Sequence, residues 1–218
     1  MSLSFDLYWS FRSPYCYLSL DRILALVERY DVEANVRPVY PLAIRTPDFF
    51  TRVNPGYRRY HLLDSKRIAE YLGIPYRRPV PDPIIQDMET NRIAPEQPHI
   101  FRLTRLGMAA VLAGRGLAFL DQLSRVLWDG TVDGWNKGSH LANAAARAGL
   151  DLARLDHEIS ADPTRYDGLI EANQKAHEAS GHWGVPTMVF EGEPFYGQDR
   201  VDIMIWRMGQ KGLRERNI

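Results

Sequence analysis

One cysteine, Cys16, is all the thiol this 218-residue chain carries. Neither an internal disulfide nor a thiolate metal cluster can form from it, and a dithiol cycle within the chain is excluded. Any further sulfur chemistry must bring its own thiol. Net charge is lacking as well. Twenty-seven basic residues balance 27 acidic ones, so no long-range field favours nucleic acid or an anionic membrane as a partner. Small, locally bound ligands are expected instead. No segment approaches the ~18 apolar residues needed to span a bilayer, and "MSLSFDLYWS" has no basic region ahead of an apolar stretch, so a cytoplasmic protein is expected. The histidines His61, His99, His140, His157, His177 and His182 show no H-E-x-x-H spacing, and no metal site is expected. Gly114 and Gly116 flank Arg115 inside a helical stretch with no strand before them. They make no phosphate loop, and no nucleotide cofactor is expected.

What is present is a soluble-globular apolar share of 45%, enough for one large domain or a domain with a substantial insertion. Residues 4–10, "SFDLYWS", alternate Phe5, Leu7 and Trp9 with Asp6, Tyr8 and Ser10, which predicts a strand. From Pro14 the period becomes helical: Cys16, Leu20, Ile23, Leu24 and Val27 share one face, as far as about Tyr30. "EANVRPVY" supplies a second strand, giving a β-α-β start with a right-handed crossover. From Pro41 to about Pro98 prolines and arginines abound, with one helix around "RYHLLDSKRIAEYLGIP" closed by Gly73 and Pro75. Residues 99–127, "SHLANAAARAGL" and "PTRYDGLIEANQKAHEASG" extend the helical texture. The last forty or so residues return to strands: "PTMVF" and "PFYG" form a hairpin across "EGE", and "QDRVDIMIWRMGQKG" starts a helix ending before Gly212.

Three short motifs stand at the joints of this plan. Ser13-Pro14 matches an N-cap followed by proline at the first helical position. Cys16 falls on the apolar face of that helix and reads as a small buried hydrophobe. Val185-Pro186 sits at a strand entry, where the missing N–H of proline is tolerated. Gln198-Asp199 opens the last helix, either as a cap or as an anion site built from free backbone N–H groups. Asn54-Pro55-Gly56 is a good turn in its own right. Trp128, Trp135 and Trp183 suit either plain core or an aromatic pocket wall.

Together, "YWSFRSPYCYL", "GHWGVPTMVF" and "YGQDRVD" resemble the 2-hydroxychromene-2-carboxylate isomerase family and its relatives, the kappa-class glutathione transferases and the DsbA-like oxidoreductases. The resemblance implies an α/β thioredoxin-like fold, a β-α-β unit plus C-terminal hairpin and helix, with a large all-helical insertion. Residues 1–45 and 178–218 would form the thioredoxin-like domain and 46–177 the insertion. It implies glutathione as cofactor: the Ser13 hydroxyl donates to its thiolate, the backbone at a cis Val185-Pro186 bond holds its cysteine, and Gln198 and Asp199 take the γ-glutamyl carboxylate and ammonium. Asn54 would contact the peptide from its loop, with Arg58 or Arg59 beyond it for the glycine carboxylate. The implied reaction is isomerisation of an aromatic-pathway carboxylate, 2-hydroxychromene-2-carboxylate, by a homodimer. A kappa-like transferase shares the same glutathione site, and a non-catalytic thiol-peptide binding module is the alternative from another class.

Overall fold

The computed structural model describes residues 2–54, 56–87, 89–90 and 92–216. The alternating segment becomes strand β1 (Leu3–Trp9), in which Phe5, Leu7, Tyr8 and Trp9 are all buried. Burial on both faces marks a central strand covered from either side. Helix α1 (Pro14–Arg29) packs Cys16, Leu20, Ile23 and Leu26 inward. Strand β2 (Val32–Pro38) returns parallel to β1, from Leu3 opposite Val32 to Trp9 opposite Pro38. Much later, β3 (Thr187–Phe190) pairs antiparallel with β1, placing Tyr8 opposite Thr187. Strand β4 (Glu193–Tyr196) closes the hairpin through Glu191 and Gly192, both at positive φ. That pair suits the right-handed twist of the flanking strands, which is why "EGE" carries its glycine there. The sheet order is β2-β1-β3-β4.

Between β2 and β3 lie α2 (Leu42–Arg45), α3 (Phe49–Arg52), α4 (Gly56–Leu72), α5 (Pro98–Leu112), α6 (Gly116–Trp128), α7 (His140–Arg147), α8 (Leu152–Ala161) and α9 (Pro163–Ala179). The expected insertion is thus helical, with one long irregular connection between α4 and α5. Residues 73–97 hold no helix among the described residues and only an isolated bridge between Gln86 and Ile93. Pro75, Pro79, Pro81, Pro83 and Pro95 remove the backbone donors a helix there would need. After β4 the chain makes a 3-10 turn at Gln198–Arg200 before α10 (Val201–Gly209), so Gln198 and Asp199 precede the α-helix proper.

One continuous core joins the sheet to the inserted helices, running from Leu7 and Trp9 through Leu18 and Ile23 to Leu106, Leu123 and Trp128. Polar anchors fix the same junction. The buried Trp128 Nε1 donates to the Phe11 carbonyl at 2.9 Å, tying the end of α6 to the β1–α1 turn. Arg105 grips Asp167 through two bonds of 2.7 Å, and the Tyr40 hydroxyl donates to the same carboxylate at 2.6 Å. Paired, partly buried contacts of this kind lock α5 and α9 onto the end of β2. Trp128 and Trp135 are therefore core, whereas Trp183 is 46% exposed. Among the described residues no helix is long and apolar enough to cross a membrane, and no cluster of three or more His, Cys, Asp or Glu side chains is placed to hold a metal.

His177 of α9 is fully buried and stacks on Tyr8 of β1 at 4.5 Å. Neither ring nitrogen makes a well-formed hydrogen bond among the described residues, and the Gly184 N–H is bonded to His182 Nδ1 at 2.9 Å. Burial, and then the nearby Arg45 cation, push its pKa down from 6.5 to about 4. Between those two values the unfolded chain binds a proton that the folded chain refuses, so stability is complete above pH 6.5 and falls as the pH drops toward 4. The loss assigned to this one ring is on the order of 2–3 kcal/mol. Urea midpoints measured from pH 7 to 4.5 should decline less steeply in His177→Phe, which keeps a ring against Tyr8. An unchanged slope would remove His177 as a source of acid lability.

Candidate functional site

Ser13 caps α1 from an extended backbone, φ −93° and ψ 117°, and its side-chain oxygen accepts the Cys16 N–H at 3.3 Å. Pro14 follows at the first helical position, where its missing N–H costs nothing. The serine hydroxyl has a proton left to give, and it donates to the Val185 carbonyl at 3.2 Å. The Val185-Pro186 peptide is cis, and it leads directly into β3. Because β1 and β3 are paired at Tyr8 and Thr187, the turn after β1 and the loop before β3 meet at the same end of the sheet. Two of the sequence-predicted residues, Ser13 and Val185, thereby line one cleft.

That cleft spans about 690 Å³ of non-atom space, the open solvent at its mouth included. Tyr15, Phe50, Tyr57, Trp183 and Tyr196 give it an aromatic wall, and Arg12, Arg45, Arg58 and His61 supply its polar groups. Tyr196 is held by the ring of His182, stacked at 3.7 Å. Gly184 passes so close to the Tyr196 ring that a side chain there would overlap it. Arg12 clasps Asp82 through bonds of 3.0 and 3.1 Å, and Arg78 adds a third at 2.8 Å. Burial alone would raise the Asp82 pKa, but Arg12, the Ile84 N–H and Arg78 outweigh it and hold the carboxyl below its ordinary range. His61 is pushed down to about 4, by burial first and then by Arg78 and Arg12. It is neutral at physiological pH. The Tyr15 hydroxyl donates to Asp64 at 2.7 Å, and burial together with that carboxylate raises its pKa. Tyr15 stays a neutral donor.

The remaining sequence-predicted residues divide. The Pro186 carbonyl accepts the Gly197 N–H at 2.9 Å, so the cis-proline loop is stitched to the turn that carries Gln198 and Asp199. Gly197 itself sits at φ 110°, a conformation glycine adopts freely, with the Asp199 side chain folded against it. Gln198 accepts a hydrogen bond from Arg22 of α1, and Asp199 pairs with Arg200 at 2.6 Å on the surface. Asn54 does not reach the cleft wall. It is exposed before α4, its Oδ1 accepting the Gly56 N–H at 2.8 Å in a local turn; the neighbouring Pro55 lies outside the described residues. Of the basic pair beyond it, Arg58 lines the cleft and Arg59 does not. Sequence reasoning missed Arg12, His61, Tyr57 and Tyr196. The first adjoins Ser13, and Tyr57 and His61 are four apart on α4, a spacing that could have paired them on one face.

Cys16, three residues past Ser13, points the other way. It is fully buried, and burial pushes its thiol pKa up to about 12 against the hydrogen bonds from Ser10 and Ser13 that lower it. The chain's own sulfur is a protonated packing group.

A family model described as a DsbA-like thioredoxin domain matches residues 5–206. No curated protein matches the chain. Among solved structures, a 2-hydroxychromene-2-carboxylate isomerase is similar at 21% identity and a TM-score of 0.69, with 96% of each chain covered. A probable DsbA oxidoreductase from Streptomyces coelicolor is similar at 20% identity and a TM-score of 0.65, over 95% of this chain and 89% of that one. The cytosolic disulfide reductase DsbM from Pseudomonas aeruginosa, solved with GSH, is similar at 16% identity and a TM-score of 0.59, over 96% and 98% of the two chains. At these identities the likeness is one of fold.

Two measurements test the site as built. Native Cys16 should react with a neutral thiol reagent only as fast as the protein opens, and in full once it is unfolded; rapid native labelling would contradict its burial. Gly184→Ala should drive the Tyr196 ring out of the cleft wall, costing about 1–3 kcal/mol by overpacking. A thermal melt and near-ultraviolet circular dichroism report both changes, and unaltered tyrosine signals would show that the ring is not pinned.

Proposed function

This chain belongs to the DsbA-like thioredoxin family, and from that premise we propose that it is a glutathione-dependent isomerase of the 2-hydroxychromene-2-carboxylate type. One observation carries this most: the N-terminus of α1 presents a serine hydroxyl to an open cleft while the chain's own thiol is buried beneath it. Such a helix end favours a thiolate, through its dipole and its free N–H groups. A sulfur arriving from outside is what the site lacks. The family's two-thiol chemistry is not available to a chain with one cysteine.

The residues present fit a thiol tripeptide. Ser13 supplies an O–H donor at the helix end, the Val185 backbone a strand-like edge, and Asp199 a carboxylate for an ammonium group. Guanidinium groups on the cleft wall suit carboxylates. Bound glutathione would supply a nucleophilic thiolate that adds reversibly to a conjugated double bond and leaves again once the bond, made single, has rotated.

The chain's own part follows from its geometry. Ser13 turns its proton from the Val185 carbonyl to the sulfur, which keeps the thiolate charged and aimed; the freed carbonyl accepts the cysteinyl N–H. Tyr15, Phe50, Tyr57, Trp183 and Tyr196 flank a flat aromatic substrate and exclude water. The guanidinium side of the cleft orients its carboxylate. Homodimeric assembly and a cytoplasmic setting belong to the same proposal.

The test is an absorbance assay with 2-hydroxychromene-2-carboxylate and glutathione, alongside calorimetry of glutathione binding. Isomerisation should require glutathione in catalytic amounts and return it unchanged. Ser13→Ala should lower kcat/KM by about 10²-fold, as removal of one preorganised donor does elsewhere, and Cys16→Ala should retain most activity. Stoichiometric loss of glutathione into a conjugate would instead make the protein a kappa-like transferase. Activity that depends on Cys16 and ignores Ser13 would sink the mechanism.

A further inference from the structure

Arg22 lies on α1, nine residues and two and a half turns beyond Ser13, half-buried against the turn before α10. Its Nη2 donates to Gln198 Oε1 and, at 3.4 Å, to the Leu18 carbonyl of its own helix. Its Nε is buried without a hydrogen-bond partner among the described residues. Asp199 and Asp202 are close enough to favour its charge, yet burial dominates and lowers its pKa. A guanidinium has donors and no acceptor. Only the carbonyl oxygen of Gln198 can face it, so the Gln198 NH₂ is turned away from α1.

We propose that Arg22 is a positioning residue for the amino-acid end of the ligand: it pins the Gln198 carbonyl so that the Gln198 amide is presented to the γ-glutamyl α-carboxylate. This rests on the glutathione reading of Gln198 and Asp199. Without Arg22 no other group among the described residues bonds the Gln198 carbonyl, and the ordering of its rotamers must be supplied when ligand binds. A charged donor on the carbonyl also polarises the amide, strengthening the N–H bonds it makes at its other end. The consequence reaches further along the chain. The Gly197 N–H is bonded to the Pro186 carbonyl at 2.9 Å, so Gln198 is tied both to the cis-proline loop and, through Arg22, to the helix that presents Ser13. The site's sulfur end and its amino-acid end are thus referred to one rigid element.

Calorimetry with two probes tests this: glutathione, and 4-aminobutyryl-cysteinylglycine, which keeps the ammonium, thiol and glycine but lacks the α-carboxylate. Arg22→Ala should weaken glutathione about tenfold, the worth of one hydrogen bond to a charged group. It should leave the analogue within about twofold. Arg22→Lys should recover part of the loss, and Arg22→Ala combined with Gln198→Ala should bind no worse than Gln198→Ala alone, because the arginine acts through the glutamine. Circular dichroism and melting of each variant separate lost folding from lost binding. Equal losses for both probes would reduce Arg22 to a structural role and overturn the proposal. So would additive losses in the double variant, or glutathione binding indifferent to Arg22. If the wild-type protein binds no glutathione, the proposed function falls and takes this inference with it; if it binds and only the Arg22 dependence is missing, the proposed function stands.

Discussion

The 3.2 Å hydrogen bond from the Ser13 hydroxyl to the Val185 carbonyl joins positions 172 residues apart, and the site exists only while that approach is held. One hydrogen bond contributes about 1 kcal/mol net, too little to assemble two ends of a chain. The sheet does the assembling. Tyr8 opposite Thr187 sets the register of β1 against β3, and a slip of one residue would turn every side chain of β3 to the other face. The turn after β1 is fixed independently: the Ser13 N–H donates to Ser10 at 3.1 Å, the Val39 N–H to Trp9 at 2.9 Å, and Trp128 to Phe11. Backbone and core pairing place the serine, and the serine's own bond reports that placement.

The same helix that presents a hydroxyl hides a thiol. The Cys16 N–H donates to Ser13 Oγ, yet Ser13 precedes the helix and Cys16 lies inside its first turn. A residue at the N-cap faces the helix end, and one three places on faces whichever side the helix buries. Here that side is the core shared with Leu20 and Ile23. A cysteine at position 13 would feel the helix dipole; the cysteine at 16 feels desolvation, and its pKa moves up. Sequence proximity to a thiolate-stabilising element therefore confers no reactivity on this sulfur.

This contrast also marks what could be read from sequence. Strand β1, helix α1 with its cap, the β3–β4 hairpin and the cis Val185-Pro186 bond were legible, because periodicity, Ser-Pro, "EGE" and Val-Pro are local signals or motifs of a resemblance. Residues 73–97 were not: their prolines say only what cannot form. The wall of the cleft was illegible for a different reason. Tyr57 and His61 sit on a helix whose weak apolar pattern does not say what they face, although the resemblance offered Arg58 beside them, and Tyr196 reaches the cleft only because Gly184 leaves room for its ring. Asn54 illustrates the converse. Its signal is also a local one, and the structure keeps its side chain on the Gly56 N–H.

The charges of the cleft complete the physical picture. Of its basic side chains, His61 is the one whose ordinary titration falls near neutrality, and burial with Arg78 and Arg12 nearby keeps it uncharged down to about pH 4. The positive groups on the wall are guanidiniums: Arg12, Arg45 and Arg58. A guanidinium is cationic at any physiological pH, even where burial lowers its pKa as it does for Arg45 and Arg58. Asp82, held ionised behind Arg12 and Arg78, offsets part of this charge and fixes the Arg12 guanidinium plane through paired bonds. A ligand carboxylate entering the cleft thus meets rigid, permanently charged donors beside a neutral imidazole, and its binding need not compete with the uptake or release of a proton. Charge on the cleft wall can therefore attract an anion while the one imidazole there stays neutral.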